Sequence, residues 1–275
     1  MPLQPDKCYV IAEIGSNHLG NMRAAADMIV NAAAAGADAA KFQLFRLEDV
    51  LVDANKGDSR TEMSESWLPD LASICKNHNI DFLCTPFAPW AVEALDKYVE
   101  MWKVGSFEAK NDDLWTACIK TRKPIVRSCG RYTNPNDLNT ESYGIDYPLY
   151  CVSKYPASPS DIYLPTFDYL TEGFSDHTTS TVIPALAVAR GARIIEKHVR
   201  LEDTPDDSPD YPHSLTPSQF AEMVRHIRLA ELTCWRQPPE SQTLEHYANR
   251  REVGADGSDT SDMGRPEDSH GSLAV

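Results

Sequence analysis

The chain has 275 residues, 42% of them hydrophobic, and a formal net charge of −15. A chain of this length buries a sizeable core and would be nearly filled by one barrel of about 250 residues. The acidic balance argues against a nucleic-acid surface, and no apolar run reaches the roughly 18 residues of a membrane span.

The polar Met1–Lys7 leads into a strand at Cys8–Ile14, without the charged-then-apolar pattern of a secretory leader. Asn21 is placed to cap an Ala-rich helix that stops at Gly36. Further strands are expected at Ala39–Gln43, Asp81–Thr85, Met101–Gly105, Pro124–Ser128, Leu149–Val152, Gly173–Ser175 and Arg193–His198. Eight strands separated mostly by helices predict an α/β fold, a (β/α)8 TIM barrel. Residues 131–147, rich in Asn, Pro and Gly, should lack a full helix. Thr216-Pro217-Ser218-Gln219 reads as a capping box, and Phe220, Met223, Val224 and Ile227 follow at helical spacing. From Gln237 acidic residues outnumber basic ones eight to three. The expectation is a barrel over residues 1–236 and a disordered tail over 237–275. Seven cysteines without CxxC spacing suit free thiols in a reducing cytoplasm.

In a parallel barrel the active site forms at the C-terminal strand ends, where side chains alternate in and out. Lys41 and Gln43 share a face, as do Ser175 with His177 and Glu196 with His198. Glu13 ends the first strand, Lys103 lies late in the fourth with Ser106 and Glu108 beyond it, and Ser128 ends the fifth. So many polar inward positions would be costly in a purely structural core. A lone strand-end histidine is ordinarily just a satisfied polar residue. Two on adjacent strands, near Glu13 of the strand that closes the ring, suit a manganese-, iron- or zinc-like ion. Lys41 and Lys103 could merely pair with carboxylates; with the hydroxyls of Thr85, Ser106, Ser128 and Ser175 they look more like a cradle for phosphate and carboxylate. Cys129, beside Ser128, reads as a small packing residue rather than a nucleophile.

Eight motifs occur in order: IAEIGSNH (11–18), KFQ (41–43), TPF (85–87), KVGSxE (103–108), KPIVxSxG (123–130), YP (155–156), FSDHT (174–178) and EKH (196–198). From about Val10 to Ala230 the chain closely resembles the N-acetylneuraminate (sialic acid) synthase family. The resemblance implies a TIM barrel condensing phosphoenolpyruvate with an N-acylated aldose. It implies a divalent metal, manganese foremost with magnesium, cobalt, iron or zinc as alternatives, held at positions matching His177 and His198. Phosphoenolpyruvate would be bound at positions matching Lys41, Thr85, Lys103, Ser106, Ser128 and Ser175, and the sugar at Glu13, Gln43, Glu108, Tyr155 and Asp210. Glu13, Lys41, Lys103 and Glu108 are the candidate catalytic groups. Glu13 would orient or deprotonate water or hold a sugar hydroxyl; Glu196 would support the metal ligands from one layer below.

Three departures bear on the acceptor. The bacterial synthases carry an antifreeze-like domain that supplies an arginine across a dimer, and the acidic tail offers no counterpart. The loop after Gln43 is shorter than usual. Ser153, followed by Lys154, stands where the sixth-strand motif usually has Asn, and Arg131 replaces the usual Met after the fifth-strand glycine. Arg46, Arg131 and Lys154 are either solvated surface charge or binding groups for an anionic, sugar-like aldehyde. A homodimer is compatible with the sequence. Two other readings stay open, a metal-dependent aldolase or isomerase that does not use phosphoenolpyruvate and a non-catalytic sugar-binding barrel.

Overall fold

A computed structural model describes residue 4 and residues 6–49, 58–130, 146–168 and 171–235. All eight expected strands form: β1 Tyr9–Glu13, β2 Ala39–Leu44, β3 Asp81–Pro86, β4 Trp102–Val104, β5 Ile125–Ser128, β6 Asp146–Cys151, β7 Gly173–Asp176 and β8 Ile194–His198. Their order is β3-β2-β1-β8-β7-β6-β5-β4, and every registered ladder is parallel. The first strand therefore neighbours the last, and β3 packs beside β4 to complete a nearly closed (β/α)8 barrel.

Among the described residues six α-helices surround it: α1 Met22–Ala35, α2 Leu68–Asn77, α3 Pro89–Leu95, α4 Asp112–Lys120, α5 Ile183–Ala189 and α6 Pro217–Cys234. The Asn21 side chain accepts from the Arg23 and Ala24 amides, and Gly36 ends α1 at φ 88°, a left-handed conformation that favours glycine. Thr216 and Gln219 form the reciprocal capping box at the start of α6. That helix buries Phe220, Met223, Val224 and Ile227, each worth about 1.5–3 kcal/mol of apolar burial. Between β6 and β7 the described residues hold a 3-10 turn at Pro159–Asp161 in place of an α-helix. The segment expected to lack a helix falls almost wholly in 131–145, and the expected tail in 237–275, both outside the described residues. No helix among those described is long and apolar enough to cross a membrane.

Strand parity sorts the interior. Tyr9, Ile11, Ala39, Leu83, Met101, Val126, Leu149 and Ile194 pack together inside the barrel, while their alternating neighbours, such as Val10, Ala12, Phe42 and Ile195, join the layer beneath the helices. Following the inward positions toward the strand ends, apolar side chains give way to polar ones. Ile11 leads to Glu13, Ala39 to Lys41 and Gln43, Met101 to Lys103, Val126 to Ser128, and Ile194 to Glu196 and His198. Gly173 is required where β7 meets β8, because a Cβ there would collide with the Ile194 carbonyl.

Candidate active site

The floor of the barrel mouth is a four-charge network. Lys41 and Glu13 are Cα partners across β1 and β2, and the Lys41 ammonium lies 2.7 Å from Glu13 Oε2. Lys41 also donates to Thr85 Oγ1 at 2.9 Å, and Gln43 Nε2 donates to Glu13 Oε1 at 2.8 Å. Across the barrel Lys103 donates to Ser128 Oγ at 2.9 Å and sits 3.1 Å from Glu196 Oε2. Glu196 bridges the halves, with Oε1 3.9 Å from Lys41 and accepting from Ser175 Oγ at 3.3 Å. All four charged side chains are buried. Burial pushes the Glu13 carboxyl up to about 7 against the pull of Lys41. Burial would also raise Glu196, but Lys103 and Lys41 together hold it below the usual carboxylate range. Lys41 stays a firm cation, since Glu13 and Glu196 outweigh its desolvation.

Above this floor lie three imidazoles. His177 Nδ1 donates to the Val152 carbonyl at 2.9 Å, which leaves Nε2 as the lone-pair nitrogen, 3.5 Å from Ser175 Oγ. Its ring centroid is 5.8 Å from His198 and 6.1 Å from His213. The latter two are 4.4 Å apart. Asp210 accepts from the Ser16 amide at 2.7 Å and from Ser16 Oγ at 2.8 Å. Its carboxylate lies 3.8 Å from His198 Nδ1 and 3.5 Å from His213 Nε2. His198, Asp210 and His213 each present a ligand atom within 4.8 Å of the others. These donors fit a divalent cation: buried imidazole nitrogens of His198 and His213 lack hydrogen-bond partners, and desolvation keeps His177 and His198 neutral, His177 at about 4.

The strand ends carrying His177 and His198 are tied together on their outward side. Lys197 donates to Asp176 Oδ2 at 2.7 Å with both side chains fully buried. Asp176 in turn accepts from the Thr178 amide and hydroxyl. Tyr155 covers the imidazoles, 4.3 Å from the His177 ring and 5.4 Å from His213. Ser106 shares a hydrogen bond with Ser153 at 3.1 Å, and Glu108 folds back over Gly105, where a Cβ would meet its carboxylate.

Of the sequence-derived candidates, Glu13, Lys41, Gln43, Thr85, Lys103, Ser128, Ser175, His177 and His198 gather at this end of the barrel. Asp210, expected on the sugar side, stands among the imidazoles. Arg131 lies outside the described residues. Arg46 is paired with Glu65 at 3.3 Å and stacks on Trp90 at 4.0 Å; Lys154 is paired with Asp161 at 2.7 Å. Sequence reasoning missed His213, which sits in the loop beyond β8, where no strand parity flags it. It also gave Glu196 too small a part. The reading that Lys41 and Lys103 pair with carboxylates was the available signal, and both do so, Lys41 with Glu13 and Lys103 with Glu196.

Fold and site define a TIM-barrel enzyme whose active-site end is built from buried lysines and imidazoles. The chain belongs to the NeuB family, whose sequence signature matches residues 28–236, the phosphoenolpyruvate-condensing transferases of the sialic-acid type. It is 32% identical to the N,N'-diacetyllegionaminic acid synthase of Legionella pneumophila, over 82% of this chain and 72% of that protein. It is also 32% identical to the N-acetylneuraminate-9-phosphate synthase of Homo sapiens, over 82% of this chain and 70% of that one. A crystal structure of the N-acetylneuraminic acid synthetase from Leptospira borgpetersenii, in complex with citrate, superposes with a TM-score of 0.81 at 28% identity, covering 91% of this chain and 93% of that one.

Proposed function

We propose that this chain joins phosphoenolpyruvate to the aldehyde of a sugar-like acceptor, yielding a 3-deoxy-2-keto acid of the nonulosonic type and free phosphate. The observation that carries this reading is the pair of buried lysines, Lys41 and Lys103, each bonded to a hydroxyl, directly beneath an imidazole cluster. The names of the relatives, synthases of legionaminic acid and of N-acetylneuraminate 9-phosphate, support it.

Carbon 3 of phosphoenolpyruvate attacks the aldehyde carbon, forming the new C–C bond and leaving positive charge at carbon 2. Water adds at carbon 2, and the bond from carbon 2 to the phosphate oxygen breaks, so phosphate leaves with that oxygen. Lys41 and Lys103, with Thr85, Ser106, Ser128 and Ser175, hold the phosphate and carboxylate and offset their charge. Glu13, raised by burial into the neutral range, can take the proton of the adding water while Gln43 fixes its orientation. Glu108 and Tyr155 face the acceptor. A divalent ion, manganese foremost, held by His177 and His198, would supply Lewis acidity toward the aldehyde oxygen. All seven cysteines are free thiols, which suits a cytoplasmic enzyme.

An anionic acceptor is a narrower matter. Arg46 and Lys154 are each already paired with a carboxylate, so the preference would rest on Arg131. Arg131→Ala should then raise the acceptor's KM and leave that of phosphoenolpyruvate unchanged.

The lysine assignment is tested by Lys41→Met and Lys103→Met. Losing one charge-assisted contact is worth about 1.5–3 kcal/mol, so the KM for phosphoenolpyruvate should rise roughly tenfold or more. Unchanged KM values in both variants would contradict the assignment.

A further inference from the structure

His213 is buried at 2% exposure, yet neither ring nitrogen makes a well-formed hydrogen bond: Nδ1 faces no partner, and Nε2 meets only the Asp210 carboxylate, at a loose 3.5 Å. A buried polar group left unmatched costs about 1–3 kcal/mol, so an imidazole is not retained there for packing alone. Its surroundings are constructed with care for position. Asp210, three residues earlier, opens the short turn Tyr211–His213, in which Pro212 fixes the backbone at the second position. The whole segment is stitched to the end of β1. Asn17 donates to the Val199 carbonyl and to Ser214 Oγ, both at 2.8 Å, and accepts from Ser208 Oγ at 2.7 Å. Ser214 Oγ donates to the Asp210 carbonyl at 2.6 Å. Ser16 aims the Asp210 carboxylate with two hydrogen bonds. The outcome is a carboxylate flanked by two imidazoles at 3.5 and 3.8 Å, both beyond good hydrogen-bond length. The same His198 nitrogen also lacks a hydrogen-bond partner. An arrangement too loose for hydrogen bonds, with every donor atom within 4.8 Å of the others, is the spacing of ligands around a common cation.

We propose that His213 is a ligand of the divalent ion, acting with His198 and Asp210, so that the metal centre of this chain is richer in nitrogen than the His177–His198 pair alone. The proposal rests on the metal reading given above and adds to it a residue outside the barrel strands. A nitrogen-rich donor set favours manganese, iron, cobalt or zinc over magnesium, which prefers oxygen ligands. Binding by His213 also makes the loop 208–214 part of the centre, so loading the metal should stabilise that loop further.

The test uses the full chain stripped of metal and titrated with cobalt(II) alone, following the visible ligand-field absorption and the dissociation constant. His213→Ala should weaken cobalt binding roughly tenfold or more and shift the absorption bands. His213→Asn, which keeps a polar side chain of smaller reach, serves if the alanine variant does not fold. Pulsed electron paramagnetic resonance of the manganese-loaded protein should resolve imidazole-nitrogen modulation, and the wild type should show one more coupled imidazole than His213→Asn. His198→Ala reports separately on the underlying metal reading. Cobalt binding that His198→Ala abolishes but His213→Ala leaves unchanged, in affinity and spectrum, would overturn the His213 assignment while keeping the metal centre. No cobalt binding by the wild type would overturn both.

Discussion

The Lys103 ammonium and the Glu196 carboxylate meet at 3.1 Å, one layer beneath the imidazoles and out of contact with bulk solvent. Both are buried, so each is the other's main compensation for lost hydration. Removing one partner should cost several kcal/mol, typically about 3–5, because it strands the other charge. Removing both should cost less than the sum. A double-mutant cycle of Lys103→Met and Glu196→Gln, read by urea unfolding, should show a coupling of about 1–3 kcal/mol. Additive effects would show that the two side chains do not depend on one another.

The outward pair beneath α5 and α6 follows the same logic with a different readout. Lys197 and Asp176 are fully buried and support the strand ends that carry His177 and His198 rather than the site itself. Lys197→Met should lower the melting temperature by roughly 10 °C, given about 2–4 °C per kcal/mol for a domain of this size. A melting temperature within a degree or two of wild type would contradict that structural role.

Acid should destabilise the metal-free protein at a defined pH. Burial lowers His18 and His177 from an ordinary 6.5 to about 4 each, and it lowers His198 as well. Between those limits the unfolded chain binds more protons than the folded one, so stability is complete above about 6.5 and is lost as the pH falls toward 4. Each imidazole contributes at most on the order of 3 kcal/mol across that window. Glu13, raised to about 7, acts in the opposite sense but is a single group. The urea midpoint should therefore fall between pH 7 and pH 5, and His177→Gln should flatten the slope. A midpoint that holds or rises on acidification would contradict neutral burial of these rings.

Arg46 offers a contrasting expectation. Its pair with Glu65 is about half exposed on both sides, and such pairs contribute only about 0–1 kcal/mol. Arg46→Ala should change stability by less than about 1 kcal/mol and leave the acceptor's KM within about twofold. A much larger rise in that KM would restore Arg46 as an acceptor-binding group.

Strand parity made most of this site legible. Because inward positions repeat every second residue, Lys41 with Gln43 and Glu196 with His198 could be assigned to one face before any coordinates. The helix ends at Asn21, Gly36 and Thr216 were legible for a similarly local reason, since capping is written in adjacent residues. His213 and the placement of Asp210 were not legible. Both lie in the loop after β8, and their positions depend on Ser16 and Asn17 almost two hundred residues earlier in the chain. The pairing of Lys154 with Asp161 was also hidden, since it depends on how the chain turns after β6. Glu196 was visible as a residue but not as a bridge, because one carboxylate serving two lysines from different strands is a property of the closed ring.

The central claim is tested most directly by following phosphate release from phosphoenolpyruvate labelled with oxygen-18 at its bridging oxygen, with manganese and a panel of neutral and phosphorylated N-acylated aldoses. The account predicts release that depends on the acceptor, with the label recovered in phosphate and a 3-deoxy-2-keto acid formed in equal amount. No acceptor-dependent release across the panel, or label retained in the organic product, would contradict it.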